Sequence, residues 1–412
     1  MESCYCKMKL HRNVAFGIVS GLKRTIVDKK PASDVIKKLL KSNSKWGSRD
    51  RKVIAKVFYD VIRKKRLIQQ ALELDNNSSD RFFLRLIAGW MVMNGQKLPD
   101  WKEFIDINPK ILLKNFLELI NERKFKYSIP DWLDDLGVQA FGEKFWNKEL
   151  EALNLPAKFI IRVNRTKISV KKLKDILYCE YKIKTEIKPN YPDALIFENH
   201  KPVLDLEEYK KGFFEIQDAN SQAVCYWLNP TEGKYYIDSC AGAGGKSLHL
   251  ANLTNNKAKI LAIDINQSKL IELKNRAKRN KINSIDTFCI KESDDLESIK
   301  GNADGVLIDS PCSGIGVLKR NPALKWQLDP DIIYQITLNQ QKIFQAYASL
   351  VKINGCLIYA TCSILPIENR YQIDNFLKSK LGSKFQFEKD KTYFSHQTGF
   401  DGFYCARLFR KM

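Results

Sequence analysis

Apolar positions recur at three- and four-residue intervals through Val53, Ile54, Val57, Phe58, Val61 and Ile62, and again through Phe82, Phe83, Leu86, Ile87, Trp90 and Met91. That spacing lines them up on one stripe of a helix and predicts a helical segment over about the first 125 residues. Lys52, Lys56, Arg63, Lys64, Lys65 and Arg66 fill the opposite face, open to either phosphate contact or plain solvation. From Pro130 to Pro156 the periodicity loosens. A strand over 159–164, a lysine-rich helix over 169–178 and a strand over 194–197 then predict a small α/β module.

From Phe213 onward, short apolar runs alternate with helical stretches. Residues 234–238, 259–264, 287–290, 305–309 and 355–361 read as strands, and 267–280 and 331–351 as helices between them. This alternation is the grammar of a doubly wound parallel sheet, an α/β fold. Two closing strands, 385–388 and 402–409, are near enough in sequence to pair antiparallel at its edge. The expected division is 1–130 helical, 131–212 small module and 213–412 the larger α/β domain, without internal repeats.

Charge narrows the partner. Against 47 acidic residues stand 69 basic ones, a net +22 spread over 412 residues, which fits a polyanion. Nucleic acid leads, ahead of an anionic membrane surface. No run reaches the length of a spanning helix and residues 1–20 hold no continuous apolar stretch, so a cytoplasmic, monomeric protein is expected. The ten cysteines are scattered and read as reduced thiols. Cys4 and Cys6 form the one close pair, and with four histidines in the chain no metal site is expected.

The run Ile237-Asp238-Ser239-Cys240-Ala241-Gly242-Ala243-Gly244-Gly245-Lys246-Ser247 leads from a strand into a helix, with glycines where a nucleotide-like ligand must approach the backbone. Gly245-Lys246-Ser247 has the ending of a P-loop, but Cys240 replaces its first glycine, and Ser247 breaks a strict dinucleotide fingerprint. Asp264 closes the second strand, where a carboxylate accepts from a ribose diol, with a helix N-cap as the bland alternative. S-adenosylmethionine has such a diol and no phosphate. Glu292 or Asp294, just after the third strand, is the candidate for the adenine amino group.

Cys312, in Asp309-Ser310-Pro311-Cys312-Ser313-Gly314, and Cys362, in Thr361-Cys362-Ser363, both fall at carboxyl ends of predicted strands, where open α/β sheets build active sites. Two thiols facing a methyl donor suit a pyrimidine acceptor. A thiolate adding to carbon 6 makes carbon 5 nucleophilic, and a second group helps remove the carbon 5 proton so that elimination frees the enzyme. Asp309 would act at ring nitrogen 3, and cationic surroundings would lower the thiol pKa. Cys179, Cys225, Cys289 and Cys356 lie in apolar or helical runs and read as inert.

At these residues the chain resembles the RsmB/Sun-type family of RNA cytosine-5 methyltransferases. Asp238 through Ser247 corresponds to the family's Asp-x-Cys-Ala-Ala-Pro-Gly-Gly-Lys-Thr, Asp309 through Gly314 to Asp-Ala-Pro-Cys-Ser-Gly, and Thr361-Cys362-Ser363 with Pro366, Glu368 and Asn369 to the fifth-strand motif. Arg162-Val163-Asn164, Gln217-Asp218 with Gln222, Arg320-Asn321-Pro322 with Lys325-Trp326, and Asp401-Gly402-Phe403 also match. The resemblance implies a class I S-adenosylmethionine methyltransferase, Rossmann-like with a seven-stranded, mostly parallel sheet, an N-terminal NusB-like helical domain and a small RNA-recognition-like module. It assigns Cys362 as nucleophile, Cys312 to product release, Asp309 to the cytosine, the loop Cys240 to Lys246 and Asp264 to the cofactor, and ribosomal RNA of the small subunit as usual substrate. Gly242 and Ala243 depart from the family's alanine and proline, so a less rigid loop and altered cofactor affinity are expected.

Lys319, Arg320 and Lys325 follow the Cys312 loop and are the expected RNA contacts, while Trp326 suits either base stacking or a core. Lys171, Lys172 and Lys174 are candidates to extend a basic track. Two competing readings remain at this level. One is an RNA-dependent NTPase built on Gly245-Lys246-Ser247 and Asp309, which leaves both cysteines without work; the other is a non-catalytic ribosome-assembly factor. Transfer RNA as substrate and uracil as target are allowed by the same chemistry.

Overall fold

The apolar stripe folds as two helices, Ser48–Ala71 and Asp80–Met93, whose Val57, Phe58, Val61, Ile62, Phe83, Leu86, Ile87 and Met91 are fully buried. In the computed structural model, which describes residues 10–199, 201–291 and 293–411, these helices belong to a helical unit that runs to Leu155. The loosened stretch after Pro130 is two further helices, Asp131–Phe141 and Glu143–Leu153, which also belong to this unit. Their pattern is faint because polar groups share the interior. Trp146 is fully buried, yet its indole donates to Asp134 at 2.9 Å, and Arg123 pairs with the same carboxylate at 2.8 Å.

The chain returns to this helical unit with Leu318–Pro330. Ala323 joins its core, the Trp326 indole donates to the Ile62 carbonyl at 2.7 Å, and Lys325 Nζ donates to the carbonyls of Arg63 and Tyr127 at 3.0 and 3.3 Å.

The second unit, 156–317 with 331–412, holds two sheets. Strands β1 (Ile160–Val163), β2 (Thr185–Lys188), β3 (Tyr191–Phe197) and β4 (Phe214–Ile216) pair antiparallel in the order β2-β3-β1-β4. The helix Val170–Tyr181 packs Leu173 and Leu177 onto Ile161, Leu195 and Phe214.

The larger sheet comprises β5 (Tyr235–Asp238), β6 (Lys259–Asp264), β7 (Ile285–Cys289), β8 (Ala303–Asp309), β9 (Val351–Thr361), β10 (Phe385–Tyr393) and β11 (Phe403–Arg410). Its order is β10-β11-β9-β8-β5-β6-β7, with β5 to β9 parallel and the last two strands antiparallel at the edge. Val306-Leu307-Ile308 and Leu357 through Ala360 are fully buried, as expected of strands covered on both faces. Strand order reverses between β5 and β8. The carboxyl ends there form the crevice where open α/β sheets bind ligands.

Candidate active site

β5 ends in Asp238, and the turn that follows enters the helix Gly245–Leu253. Gly242 (φ +52°) and Gly244 (φ +81°) occupy the left-handed region, and a Cβ on Gly244 would collide with Leu273. Around Gly242 the space is open, so bare backbone faces the crevice. The loop is pinned from several sides. Ala241 N–H donates to the Ile263 carbonyl at 2.9 Å, Gly242 N–H donates to Asp264 Oδ2 at 2.8 Å, and Arg276 Nη1 donates to the Ala243 carbonyl at 2.6 Å. From β1, fully buried Arg162 donates to Gln217 and to the Gly245 carbonyl. Burial brings this guanidinium down to about 10.

Asp264 is half-buried, and its second oxygen accepts the Asn266 N–H at 2.8 Å. The helix that follows is capped by Asn266, whose side chain accepts from Ser268 and Lys269, so Asp264 is not the cap. Each carboxylate oxygen takes two hydrogen bonds, which leaves Asp264 capacity for a diol.

Lys246 and Ser247 are engaged within the protein. Lys246 Nζ donates to Asp309 Oδ2 at 2.6 Å, and Ser247 Oγ donates to Asp238 Oδ2 at 2.6 Å. Burial works against the Lys246 ammonium, but the Asp309 carboxylate outweighs it and holds its pKa above the usual value. Burial pushes Asp238 up to about 7 and raises the Cys240 thiol as well. A P-loop needs its lysine free for phosphate and its hydroxyl free for magnesium. Here both serve as internal ties.

The two cysteines converge at the neighbouring strand ends. Cys312, in the loop after β8, and Cys362, directly after β9, bring their sulfurs to 3.2 Å. The expected lowering of thiol pKa does not hold for Cys312. Its hydrogen bond with Cys362 raises it well above the usual value, followed by burial and the charge of Glu368.

Glu368 ties the two loops together. Fully buried in the turn Pro366–Glu368, its carboxylate accepts Ser313 N–H at 2.7 Å, Ser313 Oγ, Ser363 Oγ and, at 3.3 Å, Gln340 Nε2. The peptide Gly316 N–H donates to the Cys362 carbonyl at 3.0 Å, and a side chain on Gly316 would collide with that carbonyl and with Gly402. Glu368 is legible in the sequence only as part of a motif, and Arg276 carries no motif at all. Nothing in either local pattern shows which distant loop it grips.

Three expected RNA contacts lie in the helical unit. Lys325 and Lys319 are buried there, and desolvation depresses Lys325 well below its ordinary pKa. Arg63 Nη2 donates to the Lys319 carbonyl at 2.8 Å, while Arg320 is exposed. Lys319 and Lys325 are thus interior groups, because their segment folds into that unit's core. Trp326 packs there too. Glu292 and the side chain of Asp294 lie outside the described residues, as do Cys4 and Cys6. Among the described residues no side-chain cluster could hold a metal ion, and no helix is long and apolar enough to cross a membrane.

A family model described as 16S rRNA methyltransferase RsmB/F matches residues 225–409, and one for the RsmF/B-like ferredoxin-like domain matches 129–204. Ribosomal RNA small subunit methyltransferase B of Escherichia coli O6:K15:H31 (strain 536 / UPEC) is 32% identical over 302 residues, covering 71% of this chain and 68% of that protein. The chain belongs to the RsmB/F family of ribosomal RNA methyltransferases. The fold recurs in the crystal structure of PH0851, with a TM-score of 0.82, 23% identity and coverage of 98% of this chain and 100% of that one. It recurs also in NSun6 from Pyrococcus horikoshii solved with SFG, with a TM-score of 0.63, 20% identity, and 69% and 98% coverage.

This methyltransferase acts on RNA with S-adenosylmethionine as cofactor. The site fits that molecule: Gly242 leaves open space over bare backbone, Asp264 retains acceptor capacity, and the neighbouring lysine is already neutralised by Asp309. That suits a phosphate-free ligand.

Proposed function

We propose that this RNA methyltransferase modifies carbon 5 of a cytosine in small-subunit ribosomal RNA through a covalent adduct with Cys362. The observation that carries the reading is the 3.2 Å approach of Cys312 and Cys362 at the edge where β8 and β9 end, beside Asp309. The contact with Cys362, with burial behind it, holds Cys312 as a protonated thiol. The match of Thr361-Cys362-Ser363 to the family's fifth-strand motif gives the attack to Cys362 and leaves Cys312 for the later proton transfer.

Cys362 adds to carbon 6 through its sulfur, the proton given up by its thiol passing to nitrogen 3, where Asp309 accepts a hydrogen bond from it. Bound S-adenosylmethionine would supply the electrophilic methyl for carbon 5, its sulfonium S–CH3 bond breaking to leave the neutral thioether. Cys312, having lost its thiol proton to water, removes the carbon 5 proton; the electron pair left behind re-forms the ring double bond and expels the Cys362 sulfur, and nitrogen 3 gives its proton back. Once Cys362 is bonded to carbon, the contact that most raises the Cys312 pKa is gone, which favours its change from donor to base. The loop Cys240 to Lys246 and Asp264 hold the cofactor. The N-terminal helical unit, read as NusB-like, and the small module serve RNA binding.

The test is methyl transfer from labelled S-adenosylmethionine to unmodified ribosomal and transfer RNA, with denaturing gels for covalent complexes. Label in 5-methylcytosine of small-subunit RNA, no adduct from Cys362→Ala and a trapped adduct from Cys312→Ala are expected. Label on any other atom, or an adduct that survives Cys362→Ala, overturns the mechanism.

A further inference from the structure

The second unit holds a cleft of about 850 Å3 where the small module meets the end of the helix Gln267–Asn280. Lys167, Lys210, Lys211, Lys278, Arg279 and Lys281 line it, and no carboxylate does. The helix starts just beyond Asp264 and rises about 21 Å over its length. The cleft therefore lies at the C-terminal end of that helix, while Asp264 stands before its first turn.

The module's loop is seated on the helix end. Gly212 takes φ +70°, and a Cβ there would collide with the Arg279 carbonyl. Lys167 Nζ closes the seam by donating to the carbonyls of Lys211 and Arg279 at 2.6 and 3.1 Å. An ammonium carries three donors, so one remains for a ligand. Burial and the nearby charges of Lys281 and Arg279 hold the Lys167 pKa below its usual value. Nearby carboxylates offset only two of these six cations, Arg279 and Lys210. Glu215 is buried and committed to Arg276 and Arg279, and Glu207 pairs with Lys210 at 2.8 Å. Lys211, Lys278 and Lys281 make no ion pair among the described residues.

A helix C-terminus favours nearby cations, which would account for Lys278 and Lys281. It does not account for Lys210 and Lys211, brought to the same cleft by a different element. We infer that this cleft anchors the phosphate backbone of the RNA substrate, on a strand flanking the nucleotide that receives the methyl group. Four cations without a carboxylate partner, Lys167, Lys211, Lys278 and Lys281, spread over such a volume suit several phosphodiesters better than one small anion. The inference rests on the reading of the protein as an RNA methyltransferase, and it extends that reading to a second contact region away from the thiols.

The experiment measures RNA affinity of the full chain against salt concentration, for wild type and for Lys211→Gln/Lys278→Gln/Lys281→Gln. All three residues are exposed, and unchanged S-adenosylmethionine binding verifies the fold. The dissociation constant for ribosomal RNA should rise at least about tenfold near physiological salt, and the slope of log K against log salt should shrink by about 2 to 3. The triple Lys→Arg variant, which keeps the charges, should bind like wild type. Unchanged affinity and slope in the glutamine variant overturn the inference, and so does lost binding to phosphatidylserine vesicles with RNA affinity intact. Because the readout is binding, failure of methyl transfer by wild type would count against the catalytic reading alone.

Discussion

The carboxylate of Glu368 takes both the peptide N–H and the hydroxyl of Ser313, at 2.7 and 2.5 Å, and so fixes the residue directly after Cys312. The same carboxylate accepts from Ser363, directly after Cys362. One buried group thereby sets the spacing of two thiols that are 50 residues apart in the chain. In Glu368→Gln one acceptor oxygen becomes an NH2 facing hydroxyl and amide donors. Methyl transfer should fall about 100-fold, as displacements of roughly 1 Å do at reacting groups. Stability should fall by about 1–3 kcal/mol. Adduct yield in the Cys312→Ala background checks the positioning role: wild-type yield in Glu368→Gln/Cys312→Ala would refute it.

Cys312 should become more acidic when its neighbour is removed. The Cys362 hydrogen bond is the largest contribution raising its pKa, ahead of burial. In Cys362→Ala the pH midpoint for alkylation of Cys312 should drop by about one unit or more relative to wild type. Mass spectrometry of the modified peptide over a pH series reads it out. A midpoint that stays put would assign the shift to burial.

His249 links pH to stability. Fully buried, it contacts Asp193 at 2.8 Å, and burial, followed by the charge of Arg162, lowers its pKa from 6.5 to about 4. Between those values the unfolded chain binds a proton that the folded chain refuses. Stability from this group is therefore full above pH 6.5 and lost as pH falls toward 4, by about 3 kcal/mol. His249→Gln should show a smaller loss between pH 7 and 4.5 in urea unfolding. Parallel curves for the two proteins would contradict it.

The two left-handed glycines should fail differently. Gly244→Ala forces a methyl into Leu273 as well as straining the backbone, and should cost about 2–4 kcal/mol of stability. Gly242→Ala meets only the backbone penalty, about 1 kcal/mol, but places its methyl on the open face of the loop. Calorimetry should find weakened S-adenosylmethionine binding in Gly242→Ala with a melting temperature close to wild type. Equal affinity there would mean the cofactor does not lie over that glycine.

Lys325 should matter to the fold. Lys325→Ala removes donors to the Arg63 and Tyr127 carbonyls and should cost about 1–3 kcal/mol, with the salt dependence of RNA binding unchanged. An unchanged melting temperature with a shallower salt slope would reinstate it as a phosphate contact.

Local pattern carried the catalytic half of this protein a long way. The helix at residues 267–280 and the strand at 259–264 coincide with their predicted limits, because each has a clear apolar period and an end signal such as Asn266. The pairing of Cys312 with Cys362 was legible for a related reason. A parallel sheet turns two motifs at strand ends into neighbours whenever their strands are adjacent, as β8 and β9 are. Lys325 and Trp326 were opaque because a basic loop and a buried one share the same composition, and only the fold shows that 318–330 completes a helical core. Glu368, Arg162 and Arg276 likewise draw their meaning from partners far along the chain. Residue type and spacing determined where strands end and which chemistry waits there. Tertiary structure alone decided which buried charges hold that chemistry in place, since burial and pairing depend on what the rest of the chain brings alongside.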